Sequence, residues 1–227
     1  SDVYKRQYVE DKSEILGQAK DFTNQNPTFY DKRVISPNKD GYADTLSASY
    51  TLLRSGHVSA YVYKLDENGH KEADPIACLL EDEYMTKNFG SSMMPLSYSL
   101  GRSFPDVKTT LKDGDYVLSL KAYSNKNNPA DDVDMKFTVD TKKPTITNAS
   151  FAKNKLTFEA KDESGLREVI VKNADKVIEK NTDGSYAIED GADLNDITVE
   201  AIDLGYNKYK TTAKMLLEGG SSSLKVN

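Results

Sequence analysis

Apolar and polar residues alternate with period two along most of this chain, and that pattern predicts strands. Leu46 to Leu53 and Val58 to Tyr63 alternate as half-buried strands do. Asn68-Gly69 follows as a tight-turn signal, because both residues tolerate positive φ. Asp113-Gly114-Asp115 turns into the run Tyr116 to Tyr123, the clearest strand of the first half, and Met135 to Asp140 closes that half. Residues 74–106 show no sustained period and read as an insertion or long connection. Beyond Pro144 the turn signals recur every 8–12 residues, as a small sandwich requires. They separate strands expected at Thr145–Asn148, Lys155–Ala160, Glu168–Lys172, Lys176–Glu179, Ser185–Ile188, Ile197–Ile202 and Tyr209–Leu216.

Two all-β units therefore follow one another. Residues 1–30 are polar and read as a lead-in from a preceding unit, 31–140 as one β-module, 141–217 as an immunoglobulin-like sandwich, and 218–227 as a flexible linker. Asp140-Thr141-Lys142-Lys143-Pro144 marks the boundary, since proline cannot donate to a ladder and suits the entrance to an edge strand.

Composition narrows the function. The hydrophobic share of 37% and mean hydropathy of -0.64 suit thin sandwiches, in which half of each strand faces water. Charged residues make up 29%, well mixed, with net charge -6. A nucleic-acid binder carries a basic face or stripe, and none is written here, so no nucleic-acid partner is expected. No run reaches the ~18–20 apolar residues of a membrane span. The single cysteine, Cys78, lies among apolar neighbours and is expected to be a small buried residue.

The one stretch with the chemistry of a site is Ile35 to Asp44. Ser36, Asn38 and Asp40 set oxygens at alternate positions, Gly41 permits a sharp turn, Tyr42 offers a carbonyl and Asp44 another carboxylate. Hard cations are held by such oxygens, so a structural calcium ion is expected on Asn38, Asp40, Tyr42 and Asp44, with Ser36 and Asp31 as further donors. The spacing matches nine positions of a helix–loop–helix calcium loop, but Ser47 stands where the twelfth needs glutamate. The alternative is an Asx-turn network, in which the same side chains bond their own backbone.

Catalytic readings are weaker. Gly90-Ser91-Ser92-Met93-Met94-Pro95 is similar to the nucleophile segment of subtilisin-like peptidases, and Asp162-Glu163-Ser164-Gly165 to their aspartate segment. A triad needs a histidine between them. His57 and His70 are the only histidines, both on turn-like segments, and Ser92 precedes Asp162 in the wrong order. These fragments are read as chance. Asp131, Asp132 and Asp134 read as a solvated loop tip. Of the 14 tyrosines, Tyr50, Tyr61, Tyr63, Tyr116 and Tyr123 fall in strand patterns, where aromatics pack, and no clustered exposed set is evident.

Ile35 to Gly41 with Asp44, followed by Tyr50-Thr51-Leu52-Leu53-Arg54, resembles the second fibronectin type III-like module of Gram-positive cell-envelope subtilisin-like serine peptidases. That group includes lactocepin and the streptococcal complement-cleaving surface peptidase. Asp140 to Pro144 is similar to the link into their third module, Ala201 to Asn207 to its "DxxGN" turn, and Leu216 to Gly219 to its end. The resemblance runs in register over roughly residues 30–219 and departs at 85–112, where the family often carries a tryptophan that this chain lacks. It implies two tandem fibronectin type III/immunoglobulin-like sandwich modules. They would be non-catalytic, extracellular and associated with the cell wall or surface, would position preceding catalytic or module domains of the same chain, and would assist binding of a protein substrate. The alternative is a surface adhesin or glycan-binding module with no peptidase upstream.

Overall fold

The computed structural model describes residues 22–23, 34–38, 40–50, 55–86, 94–99 and 111–222, with the backbone alone at 22–23, 45–50, 94–99 and 220–222. The chain divides into two compact units, Ser1–Thr141 and Lys142–Asn227. Eight strands are described in the first: β1 (Phe22–Thr23), β2 (Val34–Ile35), β3 (Thr45–Tyr50), β4 (Gly56–Lys64), β5 (Ala77–Met85), β6 (Met94–Ser99), β7 (Gly114–Tyr123) and β8 (Val133–Val139). The second holds β9 (Thr145–Ala152), β10 (Lys155–Lys161), β11 (Leu166–Asn173), β12 (Lys176–Val177), β13 (Tyr186–Ala187), β14 (Ile197–Asp203), β15 (Lys208–Thr212) and one helix, α1 (Ala213–Ser222).

In the first unit β2, β8, β7, β4 and β5 lie side by side in that order, while β1, β3 and β6 make a second sheet. All pairs are antiparallel except β2 with β8. Alternation in β4 works as the pattern predicts. Val58, Ala60 and Val62 are buried with Leu118 and Leu120 of β7, Phe137 and Val139 of β8, and Ile35 of β2. His57, Ser59, Tyr61 and Tyr63 face the other way, half-buried. Each of these valine, leucine, isoleucine and phenylalanine side chains contributes roughly 1.5–3 kcal/mol when it leaves water, the Ala60 methyl less, and that burial holds the sheet.

Seven strands make the second unit a three-plus-four sandwich. One sheet runs β13-β10-β9 and the other β12-β11-β14-β15. Its core draws on both, with Ile146 and Leu156 from the first and Val171, Ile197, Val199 and Ala201 from the second. Tyr186 closes that core by stacking on Phe158, ring centroids 5.4 Å apart. The immunoglobulin-like expectation for this half matches the arrangement, and the chain as a whole is all-β with little helix.

Four expectations need correction. Residues 74–106 are not simply irregular, for β5 and β6 lie within them. The lead-in of residues 1–30 contributes β1, which pairs with β3 through Phe22 and Ala48. The last strand stops at Thr212, and residues 218–222, expected to be linker, continue a helix. Thr212 caps that helix, its Oγ1 accepting the Met215 N–H at 3.2 Å. Ala213 is fully buried in the sandwich core and Leu216 packs against it, so tertiary burial outweighs the flexibility of Gly219 and Gly220. Cys78 is only partly buried, its thiol donating to the Leu80 carbonyl at 3.3 Å.

Candidate functional site

The loop from Ser36 to Asp44 joins β2 to β3, and the Ser36 N–H donates to the Ala43 carbonyl at 2.9 Å to close it. Gly41 has φ +91° and Ala43 has φ +49°, so the reversal needs left-handed backbone at both positions. Inside the loop the expected ligand oxygens are already engaged. Asn38 Oδ1 accepts the Asp40 N–H at 3.0 Å, and Asp40 Oδ1 accepts the Tyr42 N–H at 2.8 Å. Asp40 Oδ2 accepts from the Asn38 amide at 3.1 Å, and Asp44 Oδ2 accepts the Gly41 N–H at 2.7 Å.

These are the bonds of an Asx-turn network. Ser36 is fully buried and Tyr42 is exposed. Asp31 lies outside the described residues. Calcium takes six to eight oxygens. Asn38, Asp40 and Asp44 bring three side-chain donors to this loop.

The fragments that resemble peptidase segments find other uses. Ser92 lies outside the described residues. The Asp162 carboxylate accepts from the Ser164 N–H at 2.8 Å and its hydroxyl at 2.7 Å, which makes a turn rather than a charge relay. His70 lies against Asp66 across a four-residue turn, 3.7 Å apart. The expected loop tip is only partly one, for Asp132 precedes β8 while Asp134 lies within it opposite Ser119, and both are drawn to lysines. Lys121 Nζ sits 2.5 Å from Asp132 and Lys71 Nζ 2.9 Å from Asp134.

Two arrangements escape a reading by motif. In the second unit, Asp203 at the end of β14 is fully buried and holds the 5% exposed Asn207 by two bonds. The Asn207 N–H donates to Oδ1 and its amide to Oδ2, each at 2.8 Å. Tyr206 between them takes φ +64° and lies under the Arg167 guanidinium, 3.8 Å from the ring centroid. Asp162 brings a carboxylate oxygen within 4.8 Å of one on Asp203. The turn Asp203-Leu204-Gly205-Tyr206-Asn207 is thus a buried lock, with its glycine one place earlier than in "DxxGN". Nearby, α1 and the edges β9 and β15 leave an open cleft of about 450 Å³, lined by uncharged residues such as Ile146, Tyr209 and Met215.

In the first unit, His57 meets two tyrosines, Tyr84 and Tyr123, beside Asp82. The Tyr123 hydroxyl donates to Asp82 Oδ1. That bond, followed by desolvation and the negative charge of Asp82, pushes the Tyr123 phenol up to about 12. Its raised value favours the protonated form, so the contribution to stability is full below about pH 10, the ordinary tyrosine value, and fades as pH rises through the folded value. An NMR titration of the Tyr123 ring carbon is expected to show ionisation near pH 12. In Asp82→Asn it should fall back toward about 10. An unchanged midpoint in that variant would refute the assigned cause.

No family model matches this chain, and no curated protein sequence matches it. Among solved structures, it is similar to the fibronectin(III)-like modules of CbhA from Clostridium thermocellum, at 15% identity and TM-score 0.37, over 84% of this chain and 90% of that one. It is also similar to the E. coli chaperone DraB, at 12% identity and TM-score 0.24, over 80% of this chain and 93% of that one. What defines the class here is the strand arrangement itself: an all-β protein of two sheet-built units, the second a seven-stranded sandwich.

Proposed function

We propose that the chain is a pair of non-catalytic accessory modules from a cell-surface subtilisin-like serine endopeptidase. In that setting they stand between the catalytic domain and the wall and present a surface to a protein substrate. The observation supporting this reading is where the family-like segments fall. Ser36 to Asp44 is the closed loop leading into β3, Asp140 to Pro144 is the passage from one unit to the next, and Asp203 to Asn207 is the locked turn before β15. Each unit closes a hydrophobic core of its own, as a load-transmitting spacer requires.

Reading the parent gene upstream of residue 1 tests the proposal. A subtilisin-like domain there supports it, and a run of further sandwich repeats replaces it with an adhesin. Calcium belongs to the same proposal. An ion on Asn38, Asp40 and Asp44, completed by donors from elsewhere, would stabilise the folded state by binding it alone. The expected result is a melting temperature that rises in millimolar calcium and falls back with chelator. A melt that does not move sinks the calcium part and leaves the accessory role standing.

A further inference from the structure

Strand register, not sequence proximity, assembles an aromatic row on the outer face of the five-stranded sheet. Tyr123 of β7 and Tyr84 of β5 both lie directly opposite His57 of β4. His57 stacks flat on Tyr123, centroids 5.0 Å apart and planes 4° from parallel. Tyr84 meets the same imidazole edge-on, at 5.5 Å and 70°.

Asp82 completes the group through an irregularity in β5. Pairing slips between Val58 and Ala60, and Asp82 takes φ +52°, with its N–H donating to Ser59 Oγ at 2.9 Å. A non-glycine residue in left-handed backbone is strained, and such strain often re-aims a side chain at a sheet edge. Here it brings the carboxylate beside the rings. The Tyr123 hydroxyl holds Oδ1, and His57 Nδ1–H donates to the Asp82 carbonyl at 3.0 Å. Asp82 Oδ2 and the Tyr84 hydroxyl have no partner among the described residues, and Tyr84 is 65% exposed.

Among the described residues, β5 brings acidic charge to this row. Glu81 and Glu83 flank Asp82 on β5, both exposed. Of the lysines on this sheet, Lys121 is paired with Asp132, and Lys64 and Lys136 lie opposite Tyr116 and Val117, at the far end of β7 from Tyr123. Ring faces carry negative electrostatic potential and attract a cation, most strongly when a carboxylate shares the site. Glu83 pairs with the buried Val58 and so lies on the other face, but an anionic ligand would still be repelled by the Asp82 carboxylate. A neutral sugar could stack on the tyrosine and donate a hydroxyl to the acid, but it lacks the full positive charge that a ring face and a carboxylate attract together.

We infer that Tyr84, His57, Tyr123 and Asp82 form a docking site for a lysine or arginine side chain of an extended, basic polypeptide segment. The exposed Tyr84 ring takes the aliphatic stem and one side of the charge, and Asp82 Oδ2 takes a hydrogen bond from the cation. The inference gives the proposed protein-substrate surface a location and a chemistry, but it needs no peptidase in the parent chain. Binding by the isolated chain and reading of the upstream gene can therefore fail separately.

The test is fluorescence anisotropy of a labelled lysine-rich decapeptide with the whole 227-residue chain at low salt. Binding is expected, and it should weaken as salt rises. Tyr84→Ala and Asp82→Asn should each weaken it by roughly two- to thirty-fold, the range that cation–π contacts span from exposed to desolvated sites. Asparagine tolerates left-handed backbone and Tyr84 is mostly outside the core, so both variants should keep their circular dichroism. Absence of peptide binding overturns the inference, as does binding that both variants leave unchanged. Binding of maltohexaose that is lost in the same variants would reassign the row to a glycan and overturn it equally.

Discussion

Asp203→Ala is expected to cost the second unit about 3 kcal/mol, the largest effect of any single side chain outside its apolar core. The estimate rests on two bonds. Asn207 donates twice to the Asp203 carboxylate at 2.8 Å, and hydrogen bonds to a charged acceptor are each worth roughly 1.5–3 kcal/mol. Removing the carboxylate leaves a 5% exposed asparagine amide with lost partners and opens a small void at a fully buried position. For a unit of this size each kcal/mol moves the melting temperature by about 4–8 °C, so a fall of roughly 12–24 °C is expected. Asp203→Asn retains one acceptor oxygen and should fall between. Hydrogen exchange supplies the local readout, with β11 and β14 amides losing protection in the alanine variant. A melting temperature within 2–3 °C of the parent, about half a kcal/mol, would remove the turn lock from the account of this fold.

Gly56→Ala should destabilise the first unit by a comparable amount for the opposite reason. A Cβ at Gly56 would lie 2.5 Å from the Tyr123 carbonyl oxygen, with the Tyr123 carbonyl carbon at 3.1 Å and the Ser124 nitrogen at 3.3 Å. All three are backbone atoms in or beside β7, so no side chain can swing away. Relief must come from moving β4 away from β7, although β4 is held between β5 and β7 along nearly its whole length. Overpacking of this sort costs about 1–3 kcal/mol, occasionally more, and the backbone contact puts this position at the upper end. Chemical denaturation of the variant measures it. The aromatic row starts one residue later, so the same variant should also disturb the His57–Tyr123 stack, visible as altered ring-current shifts. Parent-like stability would show that the two strands can separate without penalty.

Local alternation revealed most of the second sandwich and both central strands of the first sheet, because a half-buried strand writes its period into consecutive residues. Where environment is set from far away, the pattern fell silent. The second half of β5 reads Glu81-Asp82-Glu83-Tyr84, with no apolar beat, since this stretch bulges and all four residues are exposed. Helix α1 hid behind Gly219-Gly220 and three serines, its evidence being a cap from Thr212 and burial of Ala213 in a core assembled elsewhere. The loop of Asn38, Asp40 and Asp44 was visible as a set of oxygens. Their use was not, because an Asx turn and a calcium cage recruit the same residue types. Neither Tyr84 nor Tyr123 stands out locally. Opposition to His57 depends on two cross-strand registers, one spanning about 65 residues of sequence.

The parallel pairing of β2 with β8 carries a consequence for how the protein is made. Val34 bonds alongside Thr138, roughly a hundred residues later in the chain, whereas β9 and β10 are joined by a turn. Closing that long loop must wait until β8 exists, and non-local pairing is the slow step in sheet formation. During synthesis the first unit therefore stays unfinished on one edge until about residue 139 has emerged from the ribosome. A pause in translation placed soon after that point would let the earlier unit close before the later one begins to appear.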